Sequence, residues 1–265
     1  MEQLPKIELD ITTFPDEIKP YINGAEIFDA TFSDHAKTYY IDRNGGYFLK
    51  VAPKTKLEHQ AKMMDYFHGK SVTARVCAFV QDDGNDYLLM ERVKGESCLA
   101  EKYLREPEKL AVVIGESLRY LHDISPDGCP KKNITSSMIP LAHEKYKNND
   151  CDPWMLEYAD FNAPEEGYDF LCKNEYKLVE DVHLHGDACL PNIMLDDFKF
   201  SGFIDFEGGG TGDRHFDLLW AIWSLQHNLG TNDYKDKLLD AYGRDKFDID
   251  RYRLCLALQA FAFID

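Results

Sequence analysis

The segment His185–Leu218, HGDACLPNIMLDDFKFSGFIDFEGGGTGDRHFDL, decides how the rest of the chain is interpreted. It contains two short apolar runs, residues 193–195 and 201–204, separated by a turn sequence at Asp196-Asp197. Short runs of this kind, bounded by turn residues, are typical of β-strands. The segment therefore predicts a loop followed by two strands that are joined by a tight connection.

Polar side chains lie at the ends of these predicted strands. Asp187 precedes Asn192 by five positions, and Asp205 ends the second apolar run. A tight loop and a hairpin would bring the three side chains to one rim. Two carboxylates and an amide oxygen are hard ligands that suit Mg²⁺ carrying nucleotide phosphates. Phosphoryl transfer also needs a group that orients the attacking hydroxyl and accepts its proton. The pattern predicts Asp187 in that role and Asn192 and Asp205 as Mg²⁺ ligands.

The order His-Gly-Asp-x-x-x-x-Asn, followed by Ile-Asp, resembles the catalytic and metal-binding loops of the aminoglycoside phosphotransferase family. The resemblance implies a protein-kinase-like fold, with ATP or GTP as the phosphoryl donor. It also implies that Asp187 is the catalytic base and that Asn192 and Asp205 hold magnesium. Asp217, in GDRHFDL, would be a structural carboxylate that braces the catalytic loop.

The rest of the chain predicts an α+β, bilobal architecture. The first part reads as a five-stranded antiparallel sheet with one helix on a face, and the part after Ser97 is mainly helical. We expect residues 1–93 to form a nucleotide-binding N-lobe and residues 94–265 a catalytic and substrate-binding C-lobe. The predicted N-lobe strands are 25–32, 38–42, 46–51, 76–80 and 87–90, and the predicted helix is 57–67.

A lysine interrupts one of the predicted strands, in Tyr47-Phe48-Leu49-Lys50-Val51. A buried charge is costly unless it is paired, and in kinase-like folds such a lysine binds the α- and β-phosphates and a helix glutamate. Glu58 is the only carboxylate early in the following helix, whereas the family register points to Gln60. Residues two apart on a helix face different directions, so only one of them can meet Lys50. We predict Glu58.

The resemblance implies two more nucleotide contacts in the N-lobe. Phe32-Ser33-Asp34-His35-Ala36 is similar to the family's phosphate-covering loop, with Ser33 as the contact through its N–H and hydroxyl. The run Leu89–Val93 corresponds to the hinge whose backbone, at Glu91 and Val93, would bond the purine ring.

The acceptor is predicted from acidic residues. A polycationic aminoglycoside requires carboxylates, and Asp152 resembles an acidic position of the family's substrate loop, with Glu157 and Asp160 close by. The chain departs from the family at its end: LCLALQAFAFID is apolar and lacks the adjacent Asp-Glu pair of kanamycin kinases. This departure keeps choline, sugar or fructosamine kinases as alternatives.

Composition limits the partners and the compartment. The formal net charge of −17 opposes nucleic-acid binding and suits a small cationic partner. No apolar run approaches the roughly 18–20 residues that span a bilayer, and the first residues do not resemble a secretory signal. The seven cysteines form no Cys-x-x-Cys pair. We therefore expect a cytoplasmic protein without a membrane partner.

Two further classes stay open from the sequence. One is a pseudokinase-like protein that binds nucleotide without transferring phosphate. The other is a metal-dependent hydrolase built on His183, His185, Asp187 and Asp205. The histidines lie two apart, but no third ligand has zinc spacing, which favours an orienting or packing role for them.

Overall fold

The computed structural model describes residues 4–32 and 34–262. The chain divides into two compact units, which are described separately. The first comprises Met1–Gly95 together with Ser201–Glu207, and the second comprises Glu96–Phe200 together with Gly208–Asp265. The segment that contains Asp205 thus belongs to the first unit, although the sequence analysis grouped it with the later part of the chain.

The first unit is built on a six-stranded antiparallel sheet with the order β1-β2-β3-β4-β6-β5. The prediction of five strands missed β1, which is only two residues long and so has no alternating pattern to detect. The strands are β1 Lys6–Ile7, β2 Glu26–Asp29, β3 Lys37–Asp42, β4 Tyr47–Pro53, β5 Val76–Gln81 and β6 Asn85–Glu91, and the helices are α1 Lys19–Ile22 and α2 Glu58–Tyr66.

Apolar side chains from these elements form the core of the first unit, including Ile22, Ile41, Leu49 and Leu89, all at most 1% exposed. The β3–β4 turn falls at Asn44-Gly45-Gly46, where the predicted strands 38–42 and 46–51 meet. All three residues have positive φ (50°, 97° and 100°), a conformation that glycine and asparagine adopt most readily.

Residues 201–207 are attached to this unit by backbone and ring contacts. The N–H of Phe203 donates to the carbonyl of Val72 at 2.7 Å. The ring of Phe206 packs against Phe67 and Phe203, with centroid distances of 5.2 and 6.2 Å. In the chain, Asp205 lies between Phe203 and Phe206. The contacts of these two residues fix its position in the first unit from both sides.

The second unit is mainly helical, in agreement with the prediction. Its helices are α3 Glu101–Leu104, α4 Pro107–His122, α5 Ile134–Ser137, α6 Ile139–Lys147, α7 Pro153–Tyr158, α8 Pro164–Asn174, α9 Arg214–Leu229, α10 Lys235–Tyr242 and α11 Ile249–Ala262. Its strands are β7 Glu96–Ser97, β8 Val182–Leu184, β9 Ile193–Asp196 and β11 Gly210–Gly212, while β10 Lys199–Phe203 runs from this unit into the first. β8 pairs antiparallel with β11, and β7 with β9.

Close helix packing organises this unit. α4 and α10 approach so tightly at Gly115 that an added Cβ would lie 2.4 Å from the carbonyl oxygen of Leu238. α11 is buried along most of its described length and packs on α6, α7, α8 and α9. Within the residues that the structure describes, no helix combines the length and apolarity needed to cross a membrane.

Candidate active site

The loop that follows β8 is held by one buried carboxylate. Asp217, in the first turn of α9, is fully buried. Its two oxygens accept the N–H groups of His185 (2.7 Å) and Gly186 (2.9 Å). Gly186 has a φ of 85°, and an added Cβ would lie 2.2 Å from the carbonyl oxygen of Gly208. Only glycine fits this turn, and the turn sets the backbone of Asp187.

Asp217 is in turn held by a buried histidine. His122, the last residue of α4, places Nε2 3.1 Å from Asp217 Oδ2 and Nδ1 2.8 Å from the hydroxyl of Tyr242. A ring nitrogen that faces a carboxylate carries the proton, so Nδ1 accepts from the tyrosine. Burial raises the pKa of Tyr242 to about 12, which keeps its hydroxyl protonated as this donor.

Asp187 carries an exposed carboxylate that is oriented by its neighbours. The side-chain amide of Asn192 donates to Asp187 Oδ2 at 2.8 Å and to the Asp187 carbonyl at 3.0 Å. The Asp187 N–H donates to His185 Nδ1 at 3.2 Å. Because Asn192 uses its N–H₂ group in these bonds, its amide oxygen remains the atom suited to a cation.

In the first unit, Lys50 lies between a carboxylate and an amide. Its Nζ is 2.8 Å from Asp205 Oδ1 and 3.4 Å from Gln60 Oε1. The Lys50 side chain is 17% exposed and that of Asp205 is 42% exposed. Asp205 has a φ of 66°, a strained conformation for a residue other than glycine, which is common at functional positions.

The model of the phosphotransferase enzyme family matches residues 32–255. The chain belongs to this family. It is 36% identical over 98% of its length, and over the whole of the relative, to the probable aminoglycoside 3'-phosphotransferase of Lactococcus lactis. The aminoglycoside 3'-phosphotransferase of Niallia circulans is 31% identical and covers 86% of this chain, with 87% of the relative covered.

Solved structures agree on the fold. The aminoglycoside phosphotransferase APH(3'')-Id of Streptomyces rimosus superposes with a TM-score of 0.72 at 22% identity, covering 96% of this chain and 99% of that one. The expected protein-kinase-like phosphotransferase fold is thereby confirmed.

The prediction that Glu58 is the partner of Lys50 is wrong. Glu58 does not meet Lys50, because it forms an exposed ion pair with Lys62 one turn further along α2. Gln60 lies two positions later, is 1% exposed and faces Lys50. The rotational phase of α2 therefore determines which of its residues faces the lysine, and charge alone gave the wrong choice.

The other predicted nucleotide contacts stay predictions. Ser33 lies outside the described residues. Glu91 pairs with Arg75 through its side chain at 2.6 Å, and its N–H donates to the Arg75 carbonyl at 3.0 Å. The N–H of Glu91 is therefore already engaged within the first unit. Val93, two residues on, is 8% exposed.

The three predicted acceptor residues lie at α7 in the second unit. Asp152 caps the helix, because its Oδ1 accepts the N–H groups of Trp154 (2.9 Å) and Met155 (3.2 Å). Glu157 is exposed on the helix, and Asp160 is exposed just beyond it with a φ of 57°. The capping role of Asp152 leaves its second oxygen for a ligand.

The two histidines of the hydrolase alternative have other partners. His183 Nε2 is 3.0 Å from the carbonyl of Ser125 and so donates to it, while His185 Nδ1 accepts from the Asp187 N–H. Within residues 4–32 and 34–262, no group of three His, Cys, Asp or Glu side chains is arranged to hold a metal. The geometry therefore gives the hydrolase no support.

The sequence analysis did not identify the buried polar residues that support the site. His122 ends the apolar stripe of α4, but its partners are distant in the chain. Asp213 is a second such group: it caps α9, accepts a hydrogen bond from His215 Nδ1 (2.7 Å) and forms an ion pair with Arg251 (2.8 Å). A signal existed, since Asp, His and Arg at buried positions of apolar helices require partners.

Proposed function

We propose that this protein is a kinase that transfers the γ-phosphoryl group of ATP to a hydroxyl of an aminoglycoside. The observation that carries the proposal is the exposed Asp187 carboxylate on a loop whose backbone is bonded to the buried Asp217. A rigid, solvent-accessible carboxylate is suited to orient a bound hydroxyl and to accept its proton during phosphoryl transfer.

The remaining residues have roles that match their chemistry. Lys50 has the charge to bind the α- and β-phosphates, and its pairing with Asp205 and Gln60 preorganises the ammonium group. Asn192 and Asp205 supply an amide oxygen and a carboxylate, the hard donors that Mg²⁺ prefers. When bound, Mg²⁺ would neutralise charge on the phosphates. Ser33, Glu91 and Val93 are the proposed contacts to the remainder of the nucleotide.

The names of the relatives support the choice of donor and acceptor. The N. circulans relative carries the name aminoglycoside 3'-phosphotransferase and the L. lactis relative the name probable aminoglycoside 3'-phosphotransferase. The S. rimosus structure has been solved in complex with ADP and streptomycin. We propose ATP as the donor and retain GTP as the competitor to be measured. The cytoplasm is the proposed compartment, which fits seven free cysteines.

Product analysis tests this function. Purified protein would be incubated with ATP, Mg²⁺ and kanamycin or neomycin, and separately with choline and simple sugars. Mass spectrometry would detect a gain of one phosphoryl group, and ³¹P NMR would locate the phosphorylated hydroxyl. We expect a phosphorylated aminoglycoside with wild type and none with Asp187→Asn. Phosphorylation of only choline or a sugar would keep the chemistry and replace the acceptor.

A further inference from the structure

Five aromatic side chains form a continuous wall on α7 and α9 in the second unit: Trp154, Tyr158, Trp220, Trp223 and His227. Positions 220, 223 and 227 are three and four apart on α9, so they share one face. Trp223 is the centre of this aromatic wall. Its centroid lies 5.7 Å from those of Trp154 and Trp220, and it stacks on His227 at 5.1 Å. Trp154 stacks on Tyr158 at 5.5 Å.

The wall is open to solvent instead of being enclosed in the core. Trp154 is 46% exposed, His227 is exposed, and the other three rings are half-buried. All three tryptophans of the chain lie in this one surface patch. Exposing clustered tryptophans costs hydrophobic free energy, and such patches on soluble proteins mark binding sites.

One end of the wall meets the loop that carries Asp187. The Sγ of Cys189 lies 3.9 Å from the Trp220 carbonyl, and the N–H of Leu190 donates to Ser224 Oγ on α9 at 3.0 Å. Burial, and next the adjacent Asp187 carboxylate, raise the pKa of the Cys189 thiol. The loop that carries Asp187 and the backbone of α9 are thus in contact at this end of the wall. A ligand on the wall would therefore lie next to the loop that carries Asp187.

The chemistry of the wall favours a cationic ring. Tryptophan faces attract ammonium groups more strongly than other aromatic rings do. Saturated rings also stack on them through their C–H groups. The exposed carboxylate of Glu157 and the capping carboxylate of Asp152 lie on the same short helix as Trp154. Aromatic faces flanked by carboxylates suit a ring that carries ammonium groups.

A neighbouring cavity is lined by more positive than negative side chains. This cavity of about 310 Å³ is lined in part by Tyr158, with Asp160 as its one carboxylate and Lys235 and Arg253 as cationic lining residues. Two positive side chains against one negative side chain disfavour ammonium groups. The cavity is therefore less suited to a polycationic ring than the aromatic wall is.

We propose that the aromatic wall is the subsite that holds an ammonium-bearing ring of the acceptor. The inference rests on the proposed kinase function and adds the residues that select the acceptor. Trp154 and Trp223 would supply stacking and cation–π contacts, and Glu157, on the same helix as Trp154, would supply a carboxylate.

Steady-state kinetics with kanamycin provide the first test. Trp154→Ala removes an exposed ring, so the variant is expected to fold, and Tyr176→Ala serves as a matched control because that ring is 78% exposed and outside the wall. We expect Trp154→Ala to raise the KM for kanamycin by roughly three- to tenfold, with kcat and the KM for ATP unchanged. A kanamycin KM equal to that of the control would overturn the inference.

Tryptophan fluorescence provides a second test that needs no turnover. Since every tryptophan lies in the wall, kanamycin added without nucleotide should change the emission of the wild-type protein, while the neutral disaccharide sucrose should not. Trp154→Phe should weaken the kanamycin response and shift its midpoint to higher concentration. No response, or an equal response to sucrose, would refute the subsite. Failed phosphorylation with an intact kanamycin response would instead reject the kinase function and keep the cation site.

Discussion

At the scale of single residues, the contact between Lys50 and Gln60 is the point where structure and sequence interpretation differ most. The amide of Gln60 faces the lysine, and the carboxylate of Glu58 faces Lys62. A neutral partner orients the ammonium group without neutralising it. Lys50 therefore relies on Asp205, at 2.8 Å, for charge pairing.

A matched pair of substitutions tests this assignment. Gln60→Ala removes a hydrogen bond from Lys50, which contributes about 0.5–1.5 kcal/mol, so the KM for ATP should rise roughly two- to tenfold. Glu58→Ala breaks only an exposed ion pair and should leave the KM for ATP unchanged. ATP titrations at saturating acceptor measure both. The reverse pattern would restore Glu58 as the partner of the lysine.

At the scale of elements, three helices converge on the loop that carries Asp187. α9 supplies Asp217, α4 supplies His122 and α10 supplies Tyr242, and these three side chains form one hydrogen-bonded chain that ends on the N–H groups of His185 and Gly186. Each member is almost fully buried, so an unmade bond is not replaced by water. The loop is thus positioned by helix packing.

Asp217→Asn tests this support. The amide can accept only one of the two backbone N–H groups, and its own N–H₂ opposes the other, which costs about 1–3 kcal/mol of unfolding free energy. We expect a lower melting temperature and also a lower kcat well below that temperature, because the Asp187 backbone moves. The control is Asp169→Asn, an exposed carboxylate on α8. Reduced stability with unchanged kcat would show that Asp217 supports the fold alone.

The N-terminal cap of α9 leads to a separate prediction about how the unfolding free energy depends on pH. His215 Nδ1 donates to Asp213 Oδ1 at 2.7 Å, and Nε2 accepts the N–H of Asp248 at 2.9 Å, so the ring is neutral. Burial lowers the pKa of His215 below its ordinary value of 6.5, despite the opposing effect of Asp213. Burial alone would raise the pKa of Asp213, but His215 and Arg251 lower it, so this carboxyl titrates below 3.8.

Proton linkage determines whether His215 raises or lowers the unfolding free energy as the pH changes. Below pH 6.5 the unfolded chain binds a proton at His215 that the folded chain does not bind, so the unfolding free energy falls as pH falls. The slope is at most about 1.4 kcal/mol per pH unit. Urea denaturation between pH 7.5 and 5.5 should show a shallower pH dependence for His215→Gln than for wild type. Equal slopes would mean that His215 titrates normally in the folded protein.

At the scale of the whole molecule, local patterns could be predicted and long-range contacts could not. The β3–β4 turn, the lysine within β4 and the mainly helical second unit follow from local sequence, and the structure contains all three. The two-residue β1 is too short to leave a pattern. His122 and Tyr242 lie 120 positions apart, so nothing in either local sequence indicates their hydrogen bond.

The candidate site also combines features that are local in sequence with contacts between distant residues. The spacing of Asp187 and Asn192 is local, and their side chains are bonded as a loop of that length permits. The assignment of Ser201–Glu207 to the first unit depends on Phe206 packing against Phe67, which is distant in sequence. The aromatic wall joins α7 and α9 in the same non-local way. The sequence therefore predicts candidate reacting groups, whereas tertiary packing determines which residues support them.

The most direct test of the central claim is coupled ADP release with ATP, Mg²⁺ and kanamycin. Wild type, Asp187→Ala and the control Asp169→Ala would be compared at equal concentration, with ATP affinity measured separately. We predict kanamycin-dependent ADP release that Asp187→Ala reduces by roughly 10²–10⁴-fold or more, while ATP affinity and the control remain unchanged. Kanamycin-dependent release that survives in Asp187→Ala would contradict the assignment of Asp187 as the base.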